Sequence, residues 1–222
     1  MGTLAFDLAH LLAGGMLVLS FLLLYQDRIT AVINVFAWQA IALSLSVAWQ
    51  SIVQEAPHLV ATAVIALVVK GFLIPFALHR IVRRLDIHRE VEQVIGGGPT
   101  MLTGLALVAL AILLVQPVRE AGGTLTREDL AFALAIILLG LLMMITRRNA
   151  VTQIIGFMSI ENGLILAASG AKGMPLVVEV SVAFSVLIAL IVFGVFIFRI
   201  RERFDTVDVS ALDRFRGERR ER

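Results

Sequence analysis

The sequence predicts an all-α, polytopic bundle of about seven transmembrane helices, with the N-terminus outside and the C-terminus in the cytoplasm. Three observations carry that expectation. Apolar residues make up 59% of the 222 residues and mean hydropathy is +0.93, well above the roughly 45–50% apolar content of a soluble domain. The apolar runs are long and do not alternate, so the backbone must satisfy its polar groups within helices rather than in a barrel. The third observation is the placement of the basic residues, which fall overwhelmingly on alternate connections.

The spans read as residues 4–25, 29–53, 58–79, 100–118, 127–146, 151–170 and 175–199. At about 1.5 Å per residue each is long enough to cross a hydrocarbon core of about 30 Å. The first lacks the basic leader and small-residue cleavage site of a signal peptide and is read as retained. One set of connections holds Arg28; Arg80, Arg83, Arg84 and Arg89; Arg147 and Arg148; and eight arginines from Arg199 onward. The opposite set holds only Arg119, Arg127 and Lys172. Fifteen against three sets the orientation, because basic loops stay in the cytoplasm.

Between the third and fourth spans, "HRIVRRLDIHREVEQVIGGG" reads as a cytoplasmic loop with a short interfacial helix. Residues 1–203 form the helix bundle, and 204–222 a charged cytoplasmic tail that lies on anionic lipid or docks on a partner. A faint repeat lays residue 28 onward on residue 150 onward, placing Thr30 on Thr152, Ile33 on Ile155 and Gln39 on Glu161. The copies begin the second and the sixth spans, four places apart, so they share one orientation, as parallel transporter repeats do.

Chemistry is sparse. With no cysteine, disulfides, iron–sulfur clusters and thiolate metal sites are excluded. His10, His58, His79 and His88 show no ligand spacing. No nucleophile or nucleotide loop appears, so we expect no cofactor, no metal, no nucleic-acid partner and no catalysis by this chain alone. What remains is polarity at membrane depth. Gln39, Lys70 and Glu161 each lie about ten residues from the cytoplasmic end of their helix, roughly 15 Å in. A lone charge there costs at least about 2.5–3.5 kcal/mol, so it must face an interior and find a counterpart. Lys70 and Glu161 have opposite sign and similar depth. A proton path through both is the functional reading; the structural reading is that each bonds neighbouring helices and holds the assembly in register.

Asn162 and Gln39 are candidate hydrogen-bond relays or interhelical glue. Gly71, beside Lys70, and Pro75, five residues after it in "KGFLIPFALHR", weaken that helix at the lysine level and favour a kink or water entry. Glu179, about four residues inside the outer end of the last span, is a candidate proton exit or entry. Glu55, Asp7 and His10 also fall near the outer face, where side chains reach the interface. Trp38 and Trp49 read as packing and belt residues, and Met143, Met144 and Met158 as fillers.

The run "RRNAVTQIIGFMSIENGLILAA", the helix after it and the tail "DVSALDRFRG" resemble the small K subunit of complex I and the C subunit of multi-subunit sodium/proton antiporters, over residues 127–203 and the start of the tail. Over nearly the whole chain, "VVKGFLIPFALHRIVRR", "RRNAVTQIIGFMSIENG" and "VVEVSVAF" resemble the hydrogenase-4 component E family. That resemblance implies a non-catalytic, multi-pass subunit in the bacterial cytoplasmic membrane. Its setting would be the membrane arm of a complex-I-related assembly of the formate hydrogenlyase or [NiFe] hydrogenase type, beside larger antiporter-like subunits. It also implies a contribution to proton translocation or its coupling. A structural linker and a cation/proton antiporter subunit are the alternatives. In the K-subunit register the first membrane glutamate of that family falls at Met158 and the second near Val186 to Ile188, so neither position carries an acid here. Glu161 lies three residues beyond the first, and Glu179 about two turns outward of the second.

Overall fold

The structure, a computed structural model, describes residues 2–84, 96–117 and 127–170, together with Ser185 and Leu187. Among these residues the regular elements are all helices, and all but Leu187 belong to one compact unit, Met1–Ser185. The elements are α1 (Gly2–Tyr25), α2 (Ile29–Val53), α3 (Pro57–Ile65), a π-helical segment (Ala66–Leu73), α4 (Ile74–Arg84), α5 (Gly97–Val115), α6 (Arg127–Thr146) and α7 (Ala150–Gly170). α3, the π segment and α4 run on as one rod, so six helices are long and apolar enough to cross a membrane. The chain is a multi-pass membrane protein. The seventh span expected over 175–199, the tail, Glu179 and most of the loop after Arg84 lie outside the described residues.

Two boundaries differ from the sequence reading. The third span does not stop near residue 79 but continues to Arg84. Its last turns are amphipathic: Leu78, Ile81 and Val82 are buried while Arg80 and Arg83 stay exposed. A buried apolar stripe lets the helix outrun its own uniformly apolar part. α5 likewise starts inside the triple glycine, with Gly96 as the N-cap and Thr100 Oγ1 donating to the Gly96 carbonyl at 3.0 Å.

Short connections force antiparallel neighbours. α2 ends in a Schellman-type cap: Glu55 takes φ 53°, the Ala56 N–H reaches the Ser51 carbonyl at 3.0 Å, and Pro57 opens α3. At the other end of the bundle, Asn149 caps α7 by accepting the Val151 N–H on Oδ1 at 2.9 Å. α2 lies against α1, α3, the π segment and α7, while α6 lies against α7, α5 and α1. α5 is peripheral, touching the rest along Thr100, Gly104, Ala111 and Val115 and leaving much of its remaining surface exposed. Trp38 also faces outward, 63% exposed, and so is not a packing residue.

α6 and α7 approach closely enough for backbone contact. A Cβ on Gly163 would sit 2.9 Å from the Ala133 carbonyl oxygen and 2.8 Å from Ile137 Cγ1, and one on Gly140 would sit 2.8 Å from the Gly156 oxygen. Small residues at a helix seam are what membrane packing uses in place of a hydrophobic driving force. This seam fixes the height and rotation of α7, and therefore of Glu161 and Asn162. Gly163→Ala should destabilise the protein by about 1–3 kcal/mol through overpacking. Gly14→Ala, where an added Cβ meets nothing within 4 Å, should be neutral or stabilise by up to about 1 kcal/mol. Thermal unfolding in detergent checks the contrast, and equal effects at the two positions would contradict it.

Candidate functional site

Midway along the bundle a polar layer separates two apolar ones. On the side of the α2–α3 turn lie Ala13, Met16, Leu43, Val47, Ala63 and Ile136. Toward the arginine-bearing loops lie Leu24, Ile29, Ile33, Phe36, Leu78 and Ile155, all buried. Between them the structure brings together four of the five residues singled out in the sequence: Gln39 of α2, Lys70 of the π segment, and Glu161 and Asn162 of α7. Each is at most 4% exposed.

Lys70 Nζ lies 3.2 Å from Glu161 Oε2 and donates to Asn162 Oδ1 at 3.0 Å. The contact with Oε2 is ionic rather than a well-angled hydrogen bond. The π geometry helps place the lysine. The Ile74 N–H bonds the Val69 carbonyl, five residues back, so the widened turns run up to Pro75, whose ring has no N–H to give. A Cβ on Gly71, beside the lysine, would meet Ile41 of α2 at 3.5 Å, an ordinary van der Waals contact.

From Lys70 two arms leave. The first is made of amides and has one direction. An ammonium only donates, so Asn162 must turn its oxygen to Lys70 and its NH2 away. Asn162 Nδ2 then donates to Gln39 Oε1 at 3.1 Å, and Gln39 Nε2 donates to Ser20 Oγ at 2.8 Å and Ser159 Oγ at 3.0 Å. Ser20 passes its own hydrogen to the Met16 carbonyl at 2.9 Å. The second arm is the carboxylate. Glu161 Oε1 accepts from the Ser185 hydroxyl, so α1, α2, the third span, α7 and Ser185 all meet in one layer.

Ser20, Ser159 and Ser185 were not singled out from the sequence, because a serine in a membrane helix ordinarily bonds its own backbone and gives no signal of depth or direction. Met158 is 1% exposed and packed as an apolar residue.

Arg147 was counted in the sequence as a loop charge, yet it is 1% exposed. Its guanidinium donates to the Leu24 carbonyl at 2.5 Å and the Gln26 carbonyl at 3.0 Å, with Asp27 Oδ1 at 3.9 Å from Nη1. Its own carbonyl accepts from Gln153 Nε2 at 2.8 Å. Burial pulls the group below the ordinary arginine range, and Asp27 partly offsets this. Arg147 fastens the α6–α7 loop to the end of α1. At the opposite end Gln54 Nε2 donates to the Ser169 carbonyl at 2.7 Å, and His10 Nδ1 stands 3.8 Å from Asp129 Oδ1. His10 is only partly exposed and Asp129 buried, so this pair is less solvated than the sequence reading placed its His10. Glu55 and Asp7 remain exposed or near-exposed at that end. Among the described residues no cluster of His, Cys, Asp or Glu could hold a metal ion.

These features define a polytopic helix bundle carrying a buried acid–base pair at mid-depth. Comparison with known proteins places it further. The chain is 30% identical over 210 residues to hydrogenase-4 component E of Escherichia coli, covering 93% of this chain and 96% of that protein, with the same figures for the Shigella flexneri protein of that name. It is also 30% identical over 206 residues to an uncharacterized protein of Mycobacterium tuberculosis, covering 92% and 94% of the two chains. The chain belongs to the hydrogenase-4 component E family. No family model matches it, and no solved structure does.

Removing one partner of a buried pair strands the other. Lys70→Met should therefore cost about 3–5 kcal/mol, and adding Glu161→Gln should return most of that loss. Unfolding midpoints of the two single variants and the double variant test the coupling; additive losses would mean the two groups are independent.

Proposed function

We propose that this chain is a membrane-arm subunit of a complex-I-related respiratory complex of the hydrogenase-4 or formate hydrogenlyase type, set in the bacterial cytoplasmic membrane beside antiporter-like subunits. In it, Lys70 and Glu161 serve proton translocation or its coupling to redox chemistry. The family supports the setting. The observation that carries the role is the Lys70–Glu161 contact, an acid and a base held 3.2 Å apart in the middle of an apolar bundle.

The two arms have different capacities. An ammonium beside a carboxylate can hand over a proton and leave two neutral groups, so the pair can hold charge or release it without another ion entering. Glu161 in turn contacts the Ser185 hydroxyl, which both donates and accepts and can pass a proton on. Asn162 and Gln39 hold theirs as amides and give them up only at high cost. They position Lys70, and the route therefore runs Lys70, Glu161, Ser185. Glu179, in the same span as Ser185, is the proposed next station toward the outer surface. The chain itself performs no bond-making chemistry in this reading; its neighbours do.

A second reading has one observation in its favour. The amide arm bonds α1, α2 and α7 together and would do so whether or not protons move, as a structural linker requires. Glu161→Gln separates the two. The assembled complex should lose redox-linked proton pumping to below about a tenth of the wild-type rate, in line with loss of a general acid–base group. Proton uptake into inverted vesicles, normalised to assembled complex, is the measurement. Normal pumping would leave the linker role standing alone.

A further inference from the structure

We propose that Lys70 sets the ion specificity of this site: its tethered ammonium occupies the position that an alkali cation would need beside Glu161, and so makes the site one for protons and not for Na⁺. The inference rests on the preceding reading that the pair takes part in ion translocation, which by itself leaves the choice between H⁺ and Na⁺ open.

The oxygens around the lysine are those a small monovalent cation would seek. Nζ faces a carboxylate oxygen of Glu161 at 3.2 Å and the carbonyl oxygen of Asn162 at 3.0 Å, while Ser185 holds the other carboxylate oxygen. Hard cations are bound by carboxylate, amide carbonyl and hydroxyl oxygens of this kind. Here the cation is supplied by the chain. Among the described residues Lys70 and Glu161 are the two charged members of the layer, and they cancel. Bringing Na⁺ to Glu161 would place two positive charges within a few ångströms in a medium of low dielectric constant, against one negative charge. The tether also wins on concentration, since an ammonium attached to the π segment is always local. A proton escapes this competition because it is already carried by the lysine: it moves within the pair and adds no second cation. Asn162 has a part in this. Its amide is held in one orientation by Gln39, with the carbonyl fixed toward the ammonium; Gln39 is thus a positioning residue for the site.

The test uses the purified complex, comparing NaCl with choline chloride at matched ionic strength. In the wild type, turnover and thermal midpoint should be the same in both salts. Lys70→Ala should lower the midpoint in choline chloride and recover at least half of that loss in NaCl. Propylammonium chloride, which replaces the three methylenes and the ammonium removed, should recover it too. Lys70→Ala combined with Glu161→Gln should recover nothing in either. Lys70→Gln carries the same comparison where Lys70→Ala fails to assemble. A wild-type complex that is stimulated or stabilised twofold more by Na⁺ than by choline would overturn the proposal, as would a lysine variant that responds equally to both. Normal pumping in Glu161→Gln would remove the proton role and leave the Na⁺ response of the lysine variants unchanged, so the two failures are distinguishable.

Discussion

The structure depends on one electrostatic constraint, the neutralisation of Glu161 by Lys70 where no water shell is at hand. A charge in that position is stable only if its counterpart is held at contact distance by something stiffer than the side chains themselves. Three features provide the stiffness. The glycine seam between α6 and α7 fixes the height of Glu161. The π segment ending at Pro75 presents Lys70 to it. The amide arm then holds the ammonium from the far side, so that lysine freedom is removed at both ends of its charge.

Placing this layer between two apolar layers has an energetic consequence. Packing above and below excludes solvent from the pair, which strengthens the attraction but also raises the cost of misplacing either group. The bundle is accordingly fastened at both ends. Arg147 ties two loops at one end through backbone carbonyls, and Gln54 ties the ends of α2 and α7 at the other. Carbonyls at helix ends have no partner within the helix, so these contacts satisfy groups that would otherwise be stranded at the edge of the membrane.

Much of this was legible in the residues, and the parts that were not share a cause. Helices and spans follow from unbroken apolar runs, and the common level of Gln39, Lys70 and Glu161 follows from counting 1.5 Å per residue. Depth, however, is a one-dimensional coordinate. It says which residues are level and not which face each other, so it left Asn162 a generic amide and did not single out the serines. The π segment is a rotation, which a count along the chain does not register, although Gly71 and Pro75 marked the place. Arg147 looked like any loop arginine because its burial comes from α1, more than a hundred residues away. The extension of α4 was missed because charged residues were read as the end of a membrane span, whereas an amphipathic turn can carry them on its outer face.

The direction of the hydrogen bonds gives the site its asymmetry. Starting from a donor-only ammonium, every amide in the arm is committed: oxygen toward Lys70, nitrogen away, ending on Ser159 and on Ser20, which passes its hydrogen to the Met16 carbonyl. An amide gives up a proton only at high cost, so this arm holds the ammonium without taking a proton from it. The carboxylate side is the opposite, since Glu161 can accept a proton and Ser185 can both give and take. One lysine thus stands between a branch that only holds and a branch that can exchange. The same two residue types, an amide and an acid adjacent in sequence at 161 and 162, divide the work because α7 turns them toward different neighbours. Asn162 faces α2 and makes the lysine's position permanent, while Glu161 faces Ser185 and makes its charge negotiable.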